Sequence, residues 1–181
     1  MRIDDILYFA PEIRFRDVDL DGASLPEQFR RRVIGFYLEP VEQCIQTGYA
    51  FAAGVLLVSC IDALARVRFG AGVIRRFGRF VDEQLRSFSG DDLAERFFDE
   101  FRNGLVHEAR LKNGAQFSLQ TGATLEQRDG ILLVNPKFLA EEVRWALDAY
   151  VALIRRDDVA RQSLADVLRH DFAKDFQIAA G

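Results

Sequence analysis

Three side chains that could act on a phosphodiester lie close together in the segment 97–112. Arg102 and Asn103 are followed by His107, one of only 2 histidines in the chain. Arginine is permanently cationic and grips a phosphate through a planar fork of donors. Histidine is the side chain best suited to moving protons near neutral pH. These residue types at this spacing indicate chemistry on a phosphate ester.

The segment that carries these residues is predicted to be an amphipathic helix. Apolar residues recur there at steps of three and four, which is the helical period. The stripe reaches Lys112, and Asn113-Gly114 is typical of a left-handed helix stop. The stripe consists of Ala94, Phe97, Phe98, Phe101, Leu105 and Ala109.

Helix geometry limits how the three polar residues can work together. In an α-helix, Arg102 and His107 stand about 140° apart around the axis. Asn103 and His107 are stacked neighbours, so Asn103 can orient the imidazole. We therefore expect Arg102 and His107 to share a cleft where two copies of the helix face each other across a symmetry axis. Gly104, which costs about 1 kcal/mol in a helix, indicates that another backbone approaches there.

Structural roles would also account for these residues. Arg102 would pair with Asp99 or Glu95 on the helix surface, a contact worth a few tenths of a kcal/mol. His107 would be a helix residue satisfied by Asn103. Under this reading the chain is a plain helical scaffold.

Composition indicates a soluble globular protein. Of the 181 residues, 49% are hydrophobic and 29% are charged, and the net charge is −4, which argues against a general polyanion binder. One stretch without acidic residues forms a candidate RNA-binding surface, or otherwise a solvated helix face. Its arginines are Arg66, Arg68, Arg75, Arg76 and Arg79.

No cofactor or metal site is predicted. Cys44 and Cys60 are the only cysteines, and no clustered histidines accompany them. We expect two buried, reduced thiols, with neither a disulfide nor a zinc site. The apolar run 49–60 is too short to span a bilayer and predicts a buried helix. The acidic N-terminus differs from a signal peptide, so we expect a cytoplasmic protein without a membrane partner.

The pattern along the chain predicts a mainly α fold of five or six helices. Residues 1–25 are expected to form an extended N-terminal arm, with one strand near 13–18. Residues 26–176 are expected to form a single helical domain. Within it, 115–134 predicts a β-hairpin insert that turns at Arg128-Asp129-Gly130. Trp145, on a late amphipathic helix, is expected in the core.

The run Arg102-Asn103-Gly104-Leu105-Val106-His107 resembles the Arg-polar-x3-His motif of the HEPN superfamily (higher eukaryote and prokaryote nucleotide-binding domains). The helical organisation from about 26 to 156 is also similar to that family's up-and-down bundle. In the family an acidic residue on an earlier helix is frequent, and Asp62 occupies the corresponding place here.

This resemblance implies a metal-independent endoribonuclease whose active site is shared by two protomers. Arg102 and His107 would be catalytic, with Asn103 and Asp62 supporting them, and the products would carry a 2′,3′-cyclic phosphate. The resemblance also implies a homodimer and a role as a toxin or defence effector, with a protein antitoxin as a partner. The alternative is a non-catalytic HEPN-like module that binds RNA, nucleotide or a protein.

Overall fold

The structure, a computed structural model, is mainly helical with two small sheets among the residues it describes. These residues are 2–3, 6–70, 73–90 and 92–180. The mainly α fold with a small β element agrees with the helical periodicity of the sequence. The chain divides into two compact units, Met1–Phe36 with Leu147–Gly181, and Tyr37–Ala146. The expectation of an N-terminal arm (1–25) followed by a single helical domain (26–176) stays a prediction.

Unit 1 contains the N-terminal segment and the C-terminal helices. Its strands β1, β2 and β3 pair antiparallel in that order, where an extended arm was expected. The reason is burial, because Phe9 and Phe15 are 0% and 1% exposed and pack edge to face. The elements of this unit are β1 (Arg2–Ile3), β2 (Ile6–Ala10), β3 (Ile13–Arg14), a 3-10 turn (Phe15–Asp17), α1 (Leu25–Val33), α7 (Asp158–Asp171) and α8 (Ala173–Ala180).

Unit 2 is built around a long apolar helix, α3 (Ala50–Phe69), which packs against its neighbours in sequence, α2 (Glu39–Gln46) and α4 (Val73–Gln84). A further helix, α6 (Pro136–Arg156), begins in this unit, and its residues from Leu147 onward belong to unit 1. The remaining helical elements are a π-helical turn (Ile34–Leu38) that enters the unit, α2 (Glu39–Gln46), α4 (Val73–Gln84), a 3-10 turn (Arg86–Phe88), α5 (Leu93–Arg96) and a second π-helical segment (Phe97–Glu108).

The predicted hairpin is present within a three-stranded sheet. Strands β5 (Leu125–Arg128) and β6 (Ile131–Val134) pair antiparallel, with Arg128 opposite Ile131. The two turn residues, Asp129 and Gly130, both have positive φ, at 52° and 80°. This geometry is the one that an Asp-Gly hairpin turn requires. A short strand, β4 (Gln116–Phe117), adds to β6 in parallel on its other side.

Helix α3 is long and apolar enough to cross a membrane by length and composition alone. It extends beyond the apolar run 49–60, from which the sequence indicated a helix too short to span a bilayer. In this structure 44% of its most apolar window is buried inside the protein. A core helix of a soluble protein passes the same test. Its buried side includes Leu57, Ile61 and Leu64, which are at most 1% exposed.

Candidate functional site

The candidate catalytic residues lie on a π-helical segment, which changes their geometry. Helix α5 continues into the segment Phe97–Glu108, and the two together, residues 93–108, are called the motif helix below. A π-helix closes its backbone hydrogen bonds between residues i and i+5. Arg102 and His107 therefore stand one turn apart on neighbouring parts of one face. The separation of about 140° expected for an α-helix is wrong for this segment.

The motif helix ends at Glu108, before the predicted end at Lys112. Ala109 takes the left-handed conformation with φ 53°, and its N–H bonds to the Gly104 carbonyl. A Cβ at Gly104 would stand 2.4 Å from the carbonyl oxygen of Arg110. The backbone that approaches Gly104 therefore belongs to the same chain, folding back after the helix. This glycine gives no support to a second protomer.

Asp62 brings two arginines together at the middle of α3. Arg102 Nη2 donates to Asp62 Oδ2 at 3.3 Å, and Arg76 Nη2 donates to Asp62 Oδ1 at 3.4 Å. The side chains of Arg76, Arg102 and Asp62 are 8%, 12% and 26% exposed. The expected surface pairing of Arg102 with Asp99 or Glu95 is replaced by this partly buried cluster.

The cluster has unused donor capacity and a positive formal charge. Two guanidiniums on one carboxylate leave a net charge of +1 in a partly buried place. The Nε atoms of Arg76 and Arg102 are buried, and within the described part of the chain neither has a hydrogen-bond partner. Arg102 also lies over the ring of Phe98, with 5.8 Å from guanidinium carbon to ring centroid. The chemistry of this donor set suits an anion such as a phosphate.

Asn103 and His107 are not joined in the way the sequence indicated. The Asn103 amide oxygen accepts from Arg102 Nη1 at 3.5 Å. His107 is exposed, and in the described residues no hydrogen bond or ion pair joins it to another side chain. The imidazole is therefore free to meet a ligand or a second copy of the chain.

An ion pair fastens the end of the motif helix to the segment that follows it. Lys112 Nζ lies 3.0 Å from Asp99 Oδ1 and 3.4 Å from Glu108 Oε1. The hydrogen bond from Lys112 holds the pKa of the Asp99 carboxyl below its ordinary value, and raises the pKa of Lys112. The backbone N–H of Lys112 also donates to the Glu100 carbonyl at 2.9 Å.

The five arginines of the expected RNA-binding surface have different environments. Arg76 belongs to the Asp62 cluster, and its side chain is 8% exposed. Arg79 is exposed, pairs with Glu83 at 2.6 Å and lies 4.3 Å from the centroid of Phe69. Arg68 is exposed and lies 5.5 Å from the same ring. Arg66 is half-buried, and the side chain of Arg75 lies outside the described part of the chain.

A second polar-aromatic site, which the sequence did not indicate, surrounds Trp145. This residue is 51% exposed, so its expected place in the core is wrong. It lines a groove of about 420 Å³, called the Trp145 groove below, together with Arg86, Phe138, Glu141 and Glu142. The spacing of Trp145 on α6 gave no signal for it, because the opposite wall comes from residues far away in the sequence.

The remaining titratable candidates lie elsewhere. His170 is 83% exposed on α7 in unit 1, beside Asp171 at 3.1 Å. Cys44 and Cys60 are free thiols, and burial raises the pKa of the Cys60 thiol. Among the described residues no group of three or more His, Cys, Asp and Glu side chains could hold a metal ion.

No protein-family model, curated protein or solved structure matches this chain. The likeness of residues 102–107 to the HEPN motif therefore stays a prediction from the sequence. The function proposed below is argued from that motif and from the geometry around Asp62.

Proposed function

We propose that this chain is a metal-independent endoribonuclease that acts as a cytoplasmic homodimer. The observation that carries the proposal is the position of Arg102, which Asp62 holds on the part of the π-helical segment that also presents exposed His107. An immobilised guanidinium one helical turn before a solvent-accessible imidazole on the same segment suits attack on a phosphodiester.

The chemistry is transesterification within the RNA. The 2′-hydroxyl attacks the adjacent phosphorus, and its proton passes to a neutral imidazole acting as general base. The bond from phosphorus to the 5′-oxygen breaks, and that oxygen takes a proton from an imidazolium. The remaining donors of Arg102 stabilise the charge that builds on the phosphate oxygens, and Asn103 keeps the guanidinium in place. The products are a 2′,3′-cyclic phosphate and a 5′-hydroxyl.

The proposed dimer follows from the need for two proton-transferring groups. One imidazole cannot accept the 2′ proton and donate to the leaving oxygen at the same moment, and within unit 2 the sequence supplies only His107. Two motif helices related by a two-fold axis would supply two histidines. The end of the helix is open to such a contact, since Val106 beside His107 is 59% exposed. A protein antitoxin would cover the same surface.

The helices that hold the Asp62 cluster also supply the RNA contacts. Arg66 follows Asp62 by one helical turn on α3, and Arg79 follows Arg76 by about one turn on α4. The guanidiniums of Arg68 and Arg79 both lie over the ring of Phe69, which groups two cations for phosphates around an aromatic side chain. Because the net charge of the chain is −4, we expect weak and salt-sensitive RNA binding.

The proposal is tested with end-labelled RNA, purified protein and EDTA. We expect cleavage that leaves 2′,3′-cyclic phosphate ends. His107→Ala should abolish it, whereas His170→Ala, which removes the other histidine from an exposed position, should leave it unchanged. Arg102→Lys should slow cleavage at least about tenfold, since lysine keeps the charge but loses the planar fork. Equal cleavage by wild type and His107→Ala would overturn the proposal.

One observation favours a second candidate, a non-catalytic module that binds RNA, a nucleotide or a protein. Arg102 and Arg76 are both largely buried and share a single carboxylate, which is the arrangement of a structural ion-pair cluster. In that case RNA would be retained without cleavage. Substitution of exposed Arg68 and Arg79 would weaken retention, and His107→Ala would not change it.

A further inference from the structure

The Trp145 groove is preorganised by Glu142. One Glu142 oxygen accepts from the Ser87 hydroxyl at 2.5 Å and from the Thr124 hydroxyl at 2.6 Å, and the other accepts from the Ser87 backbone N–H at 3.1 Å. These bonds tie the turn after α4 and the loop before β5 to helix α6. Because both oxygens of Glu142 already accept hydrogen bonds from the protein, this side chain holds the walls of the groove together. Contacts with a ligand therefore come from the neighbouring residues of the lining.

The groove presents flat surfaces for a planar ligand. The guanidinium of Arg86 lies 4.5 Å from the ring centroid of Trp145, and both side chains are exposed. Phe138 adds a second aromatic side chain to the lining. Proteins bind unpaired bases of single-stranded RNA by stacking them on aromatic rings and on guanidinium planes. The volume of about 420 Å³ lies in the range of small-molecule sites.

Glu141 supplies the groove with hydrogen-bond acceptors. It lines the groove, is exposed, and makes no hydrogen bond or ion pair with another side chain in the described ranges. An ionised carboxylate only accepts hydrogen bonds. Guanine is the base whose Watson–Crick edge offers two adjacent donors, N1–H and the N2 amino group, to a two-oxygen acceptor. Adenine, cytosine and uracil each place an acceptor beside any donor on that edge.

We propose that the Trp145 groove binds an unpaired guanine of RNA. The base stacks on the pair formed by the Arg86 guanidinium and the Trp145 ring, the Glu141 carboxylate accepts from N1–H and the N2 amino group, and Arg86 also balances the charge of the adjoining phosphate. The inference rests on the proposed function only in assigning this guanine to the substrate RNA. Binding of the base itself requires no catalytic residue.

Tryptophan fluorescence tests this directly, because the chain has 1 Trp. GMP, AMP, CMP and UMP are titrated into the full-length protein, with N-acetyltryptophanamide to correct for absorption by the nucleotide. We expect saturable quenching by GMP, with at least about tenfold weaker binding of the other three. Equal affinity for GMP and AMP, or no saturable change with GMP, would overturn the inference.

Two Glu→Gln variants test whether Glu141 itself contacts the guanine. Glu141→Gln, an exposed substitution, should weaken GMP binding at least about fivefold, because a bidentate acceptor is lost. Glu39→Gln makes the same chemical change on exposed α2 away from the groove and should bind GMP as wild type does. Unchanged GMP binding by Glu141→Gln would contradict the assigned contact. GMP binding without RNA cleavage would refute only the nuclease, and cleavage without GMP binding would refute only the groove.

Discussion

Asp62 is the residue on which the geometry of the candidate site depends. Asp62→Asn would leave two largely buried guanidiniums facing a neutral amide. Breaking a fully buried ion pair costs about 3–5 kcal/mol. Since the Asp62 side chain is 26% exposed, we expect a smaller loss of unfolding free energy, about 1–3 kcal/mol.

Urea denaturation checks this prediction. Asp82→Asn is the matched control, because Asp82 is exposed on α4 and its side chain makes no hydrogen bond or ion pair with another described residue. Its free energy of unfolding should stay within about 0.5 kcal/mol of the wild-type value. If Asp62→Asn unfolds at the wild-type midpoint, the cluster does not stabilise the fold. Its arginines would then be free to respond to a ligand.

The pair of Asp99 and Lys112 predicts a pH effect with a definite sign. The folded-state pKa of Asp99 lies below its unfolded value, so the stabilisation is fully present above the unfolded pKa of about 3.9 and is lost as the pH falls through the folded pKa. Lys112→Met should raise the pKa of Asp99 toward its ordinary value, as measured by carboxyl NMR titration. Lys174→Met, an exposed lysine of unit 1, should leave that titration unchanged.

At the scale of elements, we expect glycine substitutions in the motif helix and in α4 to change the free energy of unfolding in opposite directions. Gly104→Ala improves helix propensity by about 1 kcal/mol, but its Cβ would meet the Arg110 carbonyl at 2.4 Å. Because overpacking costs about 1–3 kcal/mol, we expect net destabilisation. Gly78→Ala, in α4, has open space within 4 Å and should stabilise by about 0.5–1 kcal/mol. Thermal unfolding distinguishes them, and a stabilising Gly104→Ala would contradict the close approach.

Local chemistry explains which elements were predictable. The Asp129-Gly130 turn was found because its signal is contained in adjacent residues, and the structure places both at positive φ. The end of the motif helix was placed too late because the apolar stripe continues to Ala109 while the chain already turns back. That turn depends on the bond from the Lys112 N–H to the Glu100 carbonyl, a contact that no helical period reveals.

The candidate site was only partly predictable for the same reason. The motif singled out Arg102 and His107, and the family resemblance singled out Asp62, which the structure places against Arg102. The burial of Arg76 against Asp62 was not predicted, because its partner is a carboxylate 14 residues earlier. The π-helical conformation of residues 97–108 was also not predicted, because amino-acid composition does not distinguish a π-helix from an α-helix.

At the scale of the whole molecule, the described candidate site residues except His170 belong to unit 2, Tyr37–Ala146. Unit 1 has a core of its own, in which the Arg32 guanidinium lies between 4.6 and 5.4 Å from the centroids of Phe9, Phe36 and Phe172. The proposed chemistry therefore needs unit 2 and a second copy of it.

A mixing experiment tests whether two copies share one active site. If each cleft needs both copies of His107, a dimer of wild type and His107→Ala is inactive. With random exchange of subunits after joint refolding, activity per total chain should then fall with the square of the wild-type fraction. If each protomer cuts alone, activity falls linearly, and the shared site is excluded. Mixing with His170→Ala should leave activity constant, because both partners keep the imidazole that the reaction uses.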